Sequence, residues 1–172
     1  MSRGVLGLVS SAGGGLDHRL RVELAVPAAR RGWRLAITFT PTAGRWMAAA
    51  GETARLQSLT DLPVRSASRL PAEPKPYPIP DVFLFVPATA NSLAKLALGI
   101  ADNQAITALV EAMGTPGVPV IVRPQADPAQ RAHPRWEEHL ETLLHAGVHI
   151  ADGPAEQPWG PLLDLVDTVA AP

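Results

Sequence analysis

Short unbroken apolar runs alternate along this chain with stretches in which apolar residues recur at helical spacing. The first run, residues 5–9 (Val-Leu-Gly-Leu-Val), ends in Ser10-Ser11-Ala12-Gly13-Gly14-Gly15 and predicts a buried strand entering a glycine-rich turn. Leu20, Leu24 and Ala28 follow at helical spacing, with Gly32 as the stop. Residues 35–40 predict the next strand, and residues 43–50 a short helix or loop. Residues 82–86 (Val-Phe-Leu-Phe-Val) form the most continuous apolar run. Thr89-Ala90-Asn91-Ser92 then leads into a helix carrying Leu93, Leu96, Ala97 and Ile100, and a second helix carries Ile106, Leu109 and Met113. Residues 118–122 read as a strand, 136–144 as an amphipathic helix, 147–150 as a last short strand and 162–169 as a closing helix.

Strands alternating with helices imply βαβ units, and strands without polar alternation imply burial on both faces. The pattern therefore predicts a three-layer α/β sandwich around a parallel central sheet. In such folds ligands bind beyond the carboxyl ends of the strands, near a reversal of strand order. The loops at those ends are residues 10–15, 40–46, 87–92 and 123–131. The prolines, 18 in all, cluster at 63–80 and 116–134. Those stretches make poor helix or strand interiors and read as loops, or as extended arms able to lie on a neighbouring subunit.

Composition narrows the function classes. Hydrophobic residues make up 47% of the 172, so a packed core is expected. A formal charge of −1 speaks against nucleic acid or a membrane surface as partner. No apolar run is long enough for a transmembrane helix, and the start of the chain reads as a strand and turn rather than a signal peptide. A cytoplasmic location is the expectation. Without cysteine, a catalytic thiol, a disulfide or a thiolate metal site is excluded. His145 and His149 are four apart, but Gly147 between them breaks a helix, so no metal site is expected.

The chemistry-bearing residues sit in the strand-end loops. Ser10, Ser11, Ala12 and Gly13 form a turn able to approach an anion, or a plain tight strand-to-helix connection. It lacks the G-x-G-x-x-G spacing and the Gly-Lys-Ser/Thr of a P-loop. Thr40, Thr42, Arg45 and Trp46 offer hydroxyls, a cation and a ring to a phosphate with a flat group beside it. Alternatively, Thr40 or Thr42 caps a helix and Trp46 fills the core.

The string Pro87-Ala88-Thr89-Ala90-Asn91-Ser92, followed by a helix ending in Gly99-Ile100-Ala101-Asp102-Asn103, resembles the homo-oligomeric flavin-containing cysteine decarboxylases. These include the phosphopantothenoylcysteine decarboxylases and the peptidyl-cysteine decarboxylases of lantibiotic assembly. Thr89 and Ser92 stand where that motif has serine and threonine, and both keep the hydroxyl. The glycine turn, Thr40 and Trp46, His133-Pro134 and Gly147-Val148 fit the order of the family's other landmarks. The resemblance implies a Rossmann-like, flavodoxin-like sandwich with residues 1–172 as one flavoprotein domain. It implies FMN held between subunits of a homotrimer or a multiple of trimers. The flavin contacts it implies are Ser10, Ser11, Ala12, Gly13, Thr40, Thr42, Trp46, Pro87, Ala88, Thr89, Asn91, Ser92, Ala101, Asp102 and Asn103. Asn91 is the candidate for a catalytic role, near a substrate carboxylate. On the residues alone, it reads equally as a cap for a helix starting at Ser92.

Three departures bear on the chemistry. The family's catalytic histidine belongs to a helix just before the third strand; residues 73–80 here carry no histidine, and their X-Pro steps forbid a regular helix. The family's Pro-x-Met-Asn-x-x-Met-Trp clamp reads Pro124-Gln125-Ala126-Asp127-Pro128-Ala129-Gln130-Arg131, which puts Asp127 where an asparagine would hold a substrate carboxylate. The cysteine of the coenzyme A branch is missing. The expected function is therefore flavin-dependent redox chemistry on a small or peptide-borne substrate, as an oxidoreductase or carboxy-lyase if it is an enzyme. Oxidative decarboxylation of a C-terminal peptidyl cysteine and a non-catalytic partner subunit are the alternatives; a flavin prenyltransferase, which shares the sandwich, is a further one, and the glycine- and serine-rich signatures of those enzymes match this chain poorly.

Overall fold

In the computed structural model, which describes residues 3–170, the apolar runs become the strands of one parallel sheet. These are β1 (Gly4–Ser10), β2 (Trp33–Phe39), β3 (Val82–Thr89), β4 (Val120–Gln125) and β5 (His149–Ile150), in the order β2-β1-β3-β4-β5. Alternate residues of each strand feed opposite faces, as the pleat requires. Leu6 and Leu8 of β1, Leu35 and Ile37 of β2, and Leu84 and Val86 of β3 point into one core layer. Val9, Phe83, Phe85 and Val122 point into the other.

The first layer is closed by a continuous helical segment: α1 (Leu16–Arg19), a π-helical stretch (Leu20–Ala25) and α2 (Val26–Arg30). Pro27 has no N–H to donate to the carbonyl four residues back, so the regular ladder is interrupted where the π stretch meets α2. Helices α3 (Pro41–Ala49), α4 (Glu52–Gln57) and α9 (Leu162–Val169) complete that layer. Asp167 docks α9 by accepting from Trp33 Nε1 at 2.9 Å and Arg31 at 2.8 Å. Helices α5 (Ala90–Leu98), α6 (Gln104–Met113) and α8 (Trp136–His145) cover the opposite face, and α7 (Pro128–Arg131) is a single turn between β4 and α8. No helix among the described residues is long and apolar enough to cross a membrane.

Several boundaries differ from those the pattern predicts. Strand β3 runs on through Pro87 and Ala88 to Thr89, and β4 begins at Val120 and continues to Gln125, so the expected loop positions Pro87, Ala88 and residues 123–125 lie in strand, with Ala88 paired to Pro124 and Thr89 to Gln125 after a register shift. Side chains at the ends of parallel strands are still buried by neighbouring loops, and local pattern does not mark that limit. Helix α4 was hidden by its mixed composition, with Glu52 and Leu56 as its buried residues. The proline-rich connection lies along its own chain: Arg65 bridges Thr38 in parallel register, and Tyr77 Oη bonds Thr38 Oγ1 at 2.8 Å. Likewise the stretch after residue 118, which composition marks as needing outside support, is supported by β3, by β5 and by its own helix cap.

Candidate functional site

The strand order reverses between β1 and β3, so the crevice this topology provides lies beyond the carboxyl ends of those two strands. Their ends are tied together by the two serines of the first loop. Ser10 Oγ donates to the Val86 carbonyl at 2.6 Å. Ser11 Oγ donates to the Pro87 carbonyl at 2.7 Å and accepts from the Thr89 amide at 2.9 Å. Both side chains are buried. The hydroxyls that composition suggested for an anion thus hold the floor of the crevice. The Val86–Pro87 peptide bond is cis. Gly13 is required by close approach, since a Cβ there would come within 2.8 Å of Pro87 Cγ. Gln125, at the end of β4, donates to the Gly14 carbonyl at 3.0 Å and so joins a third strand end to the turn.

Two helices start at this edge, and both begin with threonine. Thr40 precedes α3 and Thr89 precedes α5, each in the extended conformation of an N-cap, with φ/ψ of −61/157 and −65/157. Threonine in that conformation ordinarily caps its helix. Neither does so here, whereas Asn103 caps α6 and Asp127 caps α7 through their side chains. First-turn amides of α3 and α5 are left available to a ligand, with the positive ends of both helix dipoles behind them.

The remaining candidates fall into two groups. Thr42, Trp46 and Asn91 are exposed near this edge, Ala12 is half-buried beside it, and Ser92 is buried in the first turn of α5. Trp46 is 47% exposed, so the core role open to it on sequence is not the one it takes. Helix α5 begins at Ala90, so Asn91 lies inside the first turn rather than capping a helix that starts at Ser92. Ala101, Asp102 and Asn103 lie beyond the opposite end of α5, whose nine residues rise about 13 Å. There Asp102 pairs with Lys95 at 2.6 Å, a contact that holds its carboxyl below the usual aspartate value. Within one chain these three residues are not brought to the crevice.

Among the described residues, none of the strand-end positions named above is a histidine. His18 is exposed and bonded to Asp17, His133 accepts from the Arg135 amide, and His139 is buried on α8. Among the described residues no group of three or more His, Asp or Glu is arranged to hold a metal.

Residues 151–157, which follow β5, also end at this edge and were not among the loops considered from sequence. Arginines on three elements hold them. Arg19 donates to the Ala155 and Gln157 carbonyls at 3.0 and 2.7 Å, and Arg123 to those of Ala151 and Pro154 at 2.9 and 2.6 Å. Arg131 pairs with both oxygens of Asp152 at 2.9 Å. Applying the strand-end rule to β5 as well as β1–β4 would have found this segment. A second cavity, of about 300 Å³, lies between the proline connection and α6; Arg65, Tyr77, Phe83 and Thr107 are among its lining residues.

Glu23 anchors the same region. It accepts from Arg19 and, at 2.6 Å, from the Trp159 amide. The Arg19 hydrogen bond, opposed by burial and aided by the Trp159 amide, holds its carboxyl below the ordinary value of 4.5. A depressed folded value contributes stability above 4.5 that disappears as pH falls through it. Glu23→Gln is expected to cost about 1.5–3 kcal/mol at neutral pH, with the gap to wild type closing in acid. Urea midpoints of both proteins across this range measure it; a gap that persists in acid contradicts the assignment.

A parallel sheet in this order, with a glycine turn and two uncapped helix starts at the switch point, defines a doubly wound α/β protein. The model of the flavoprotein family matches residues 31–171, and the chain belongs to that family. A cysteine/cysteine sulfinic acid decarboxylase from an unidentified prokaryote is 38% identical over 72 residues, 42% of this chain and 19% of that protein. The coenzyme A biosynthesis bifunctional protein of Thermococcus kodakarensis is 32% identical over 72 residues, again 42% of this chain and 17% of its own length. These matches span less than a fifth of the curated relatives. Among solved structures, the FMN-dependent cysteine decarboxylase TvaF of thioviridamide biosynthesis superposes with a TM-score of 0.74 at 24% identity, covering 98% of this chain and 99% of that one. HAL3 from Cryptococcus neoformans gives 0.71 at 21%, covering 97% and 96%. At these identities the likeness speaks to the fold.

Proposed function

We propose that the chain is one FMN-binding flavoprotein domain that carries out flavin redox chemistry on a small or peptide-borne substrate, without the histidine-assisted decarboxylation its family resemblance first suggests. The carrying observation is the pair of N-cap threonines, Thr40 and Thr89, that leave the first turns of α3 and α5 uncapped at the switch point. Those amides and the turn at Ser11, Ala12 and Gly13 suit a phosphate. The exposed Trp46 supplies apolar surface for a ring, while Pro87 and Ala88 are buried at the end of β3. Bound FMN would supply the electron-accepting chemistry, and the chain would supply position and charge. Asn91, exposed in the first turn of α5, is the side chain suited to orient a substrate group beside the ring.

The distance along α5 supports an assembly. Residues at both of its ends are implied in one flavin site, and Ala101, Asp102 and Asn103 would reach that of a neighbouring copy. Leu98 and Ile100, 54% and 48% exposed at the same end, suit a subunit contact. A homotrimer, or a multiple of it, meets this requirement.

The visible absorption of protein supplemented with FMN and then desalted tests the proposal. The sample is expected to be yellow, to release FMN on denaturation, and to scatter light as a trimer or a multiple of one. A colourless protein refutes the flavin reading, and a monomer at micromolar concentration refutes the shared site.

A further inference from the structure

A cavity of about 320 Å³ opens between the end of β4 and the segment that follows β5; Gln125, Arg131, Asp152, Pro154 and Ala155 are among its lining residues. Its size is near the lower end of small-molecule sites. Its charge is unbalanced. Arg131 grips Asp152 through both guanidinium nitrogens. Arg123, 5% exposed, spends its hydrogen bonds on the Ala151 and Pro154 carbonyls and on Gln157 Oε1. Burial, with the like charges of Arg19 and Arg131, pulls Arg123 below the ordinary guanidinium value, and Asp152 is the acid that opposes this. Among the described residues Asp152 is paired with Arg131 alone and reaches Arg123 only through space, while Glu137 adds a field at Arg131.

The pair at the rim is reachable from solvent. Arg131 and Asp152 side chains are 32% and 41% exposed, and Asp152 also accepts from the Gly153 amide at 2.8 Å, so the carboxylate keeps a backbone partner if Arg131 is taken by another oxyanion. The Arg131 guanidinium lies 5.2 Å from the centre of the Trp136 ring, which orients its planar fork. A bidentate fork accepts any carboxylate or phosphate in place of its own. Gly153 keeps the segment close: a Cβ there would come within 2.6 Å of Arg123 Nη1. Gln125 belongs both to this cavity and, through the Gly14 carbonyl, to the turn at the switch point.

We infer that this cavity seats an oxyanion, a carboxylate or phosphate, on Arg131, and that Asp152 is the internal occupant which the oxyanion displaces. In assigning that oxyanion to the substrate we build on the flavin reading above; the affinity of the cavity for it does not depend on flavin. Arg131 is then a specificity-determining residue. It stands at the position that departs from the family clamp, with Asp127 withdrawn into the cap of α7, where its carboxylate accepts from the Gln130 amide at 2.8 Å.

Calorimetric titration of the full chain, with and without FMN, tests this. The probes are N-acetylglycylglycine, its C-terminal amide and inorganic phosphate. The free acid, phosphate or both are expected to bind saturably in either flavin state, and the amide is not. Tighter binding of the free acid points to a carboxylate source, and tighter binding of phosphate to a phosphorylated one. Arg131→Gln is expected to weaken oxyanion binding about tenfold or more. Asp152→Asn is expected to tighten it several-fold, and to do so only while Arg131 is present, the double variant binding no better than Arg131→Gln. Unchanged affinity in Arg131→Gln, failure of Asp152→Asn to bind more tightly, or loss of binding when FMN is added overturns the inference. A chain that takes up no FMN but binds the oxyanion through Arg131 refutes the flavin reading alone. One that takes up FMN but binds neither oxyanion refutes the seat alone.

Discussion

Incubated with phosphopantothenoylcysteine, the flavin-loaded protein is expected to leave the substrate undecarboxylated at ordinary enzyme rates. The resemblance to cysteine decarboxylases implies a base close to the thiol, supplied by a histidine just before the third strand. Here that stretch runs against β2, and the side chain it directs at the sheet is Tyr77, already bonded to Thr38 Oγ1. A positioned general base contributes about 10²–10⁴-fold, and a loss of that order is expected. A second term acts in the same direction. Asp127 stands at the position of the carboxylate-binding asparagine that the resemblance implies, but it accepts the Gln130 amide as the cap of α7 and offers no N–H to a substrate carboxylate. Mass spectrometry of carbon dioxide loss, run beside peptides ending in cysteine, decides the matter. Turnover of phosphopantothenoylcysteine would refute this expectation. Turnover of the peptides alone would favour peptidyl-cysteine decarboxylation and require another base.

The second large effect concerns stability. Trp159→Ala is expected to destabilise the fold by about 3–5 kcal/mol, the usual range for removing a buried aromatic ring. The ring is 1% exposed within the first core layer. Arg19 lies 4.2 Å from its centre, and the backbone amide of Trp159 donates to Glu23. The residue thus pins the segment after β5 to the first helix, and Arg19 reaches from there to the Ala155 and Gln157 carbonyls. Domains of this size are stable by only about 5–15 kcal/mol, so the variant should lose a large share of its margin. Urea unfolding at neutral pH measures the change; a loss below about 1 kcal/mol would mean that the ring is not the anchor its burial indicates.

By itself the sequence determined the class of fold and the edge of the sheet on which to look. Apolar runs such as residues 82–86, and the helical spacing of Leu20, Leu24 and Ala28, are local consequences of which faces are buried, so they are legible without partners. The motif from Pro87 to Ser92 carried the family resemblance for the same reason, since all its members are neighbours in the chain. Boundaries were less legible where burial outlasts the apolar pattern, as at Pro87, Ala88 and Gln125. The tertiary structure alone decided what each polar group spends its bonds on. Ser10 and Ser11 meet carbonyls 76 positions away. Arg131 and Asp152 meet across 21 positions and two intervening elements. Trp46 stays outside the core, and Tyr77 turns to the sheet. Such pairings depend on strand order and on the approach of loops at the sheet edge, and no periodicity within a single segment encodes either.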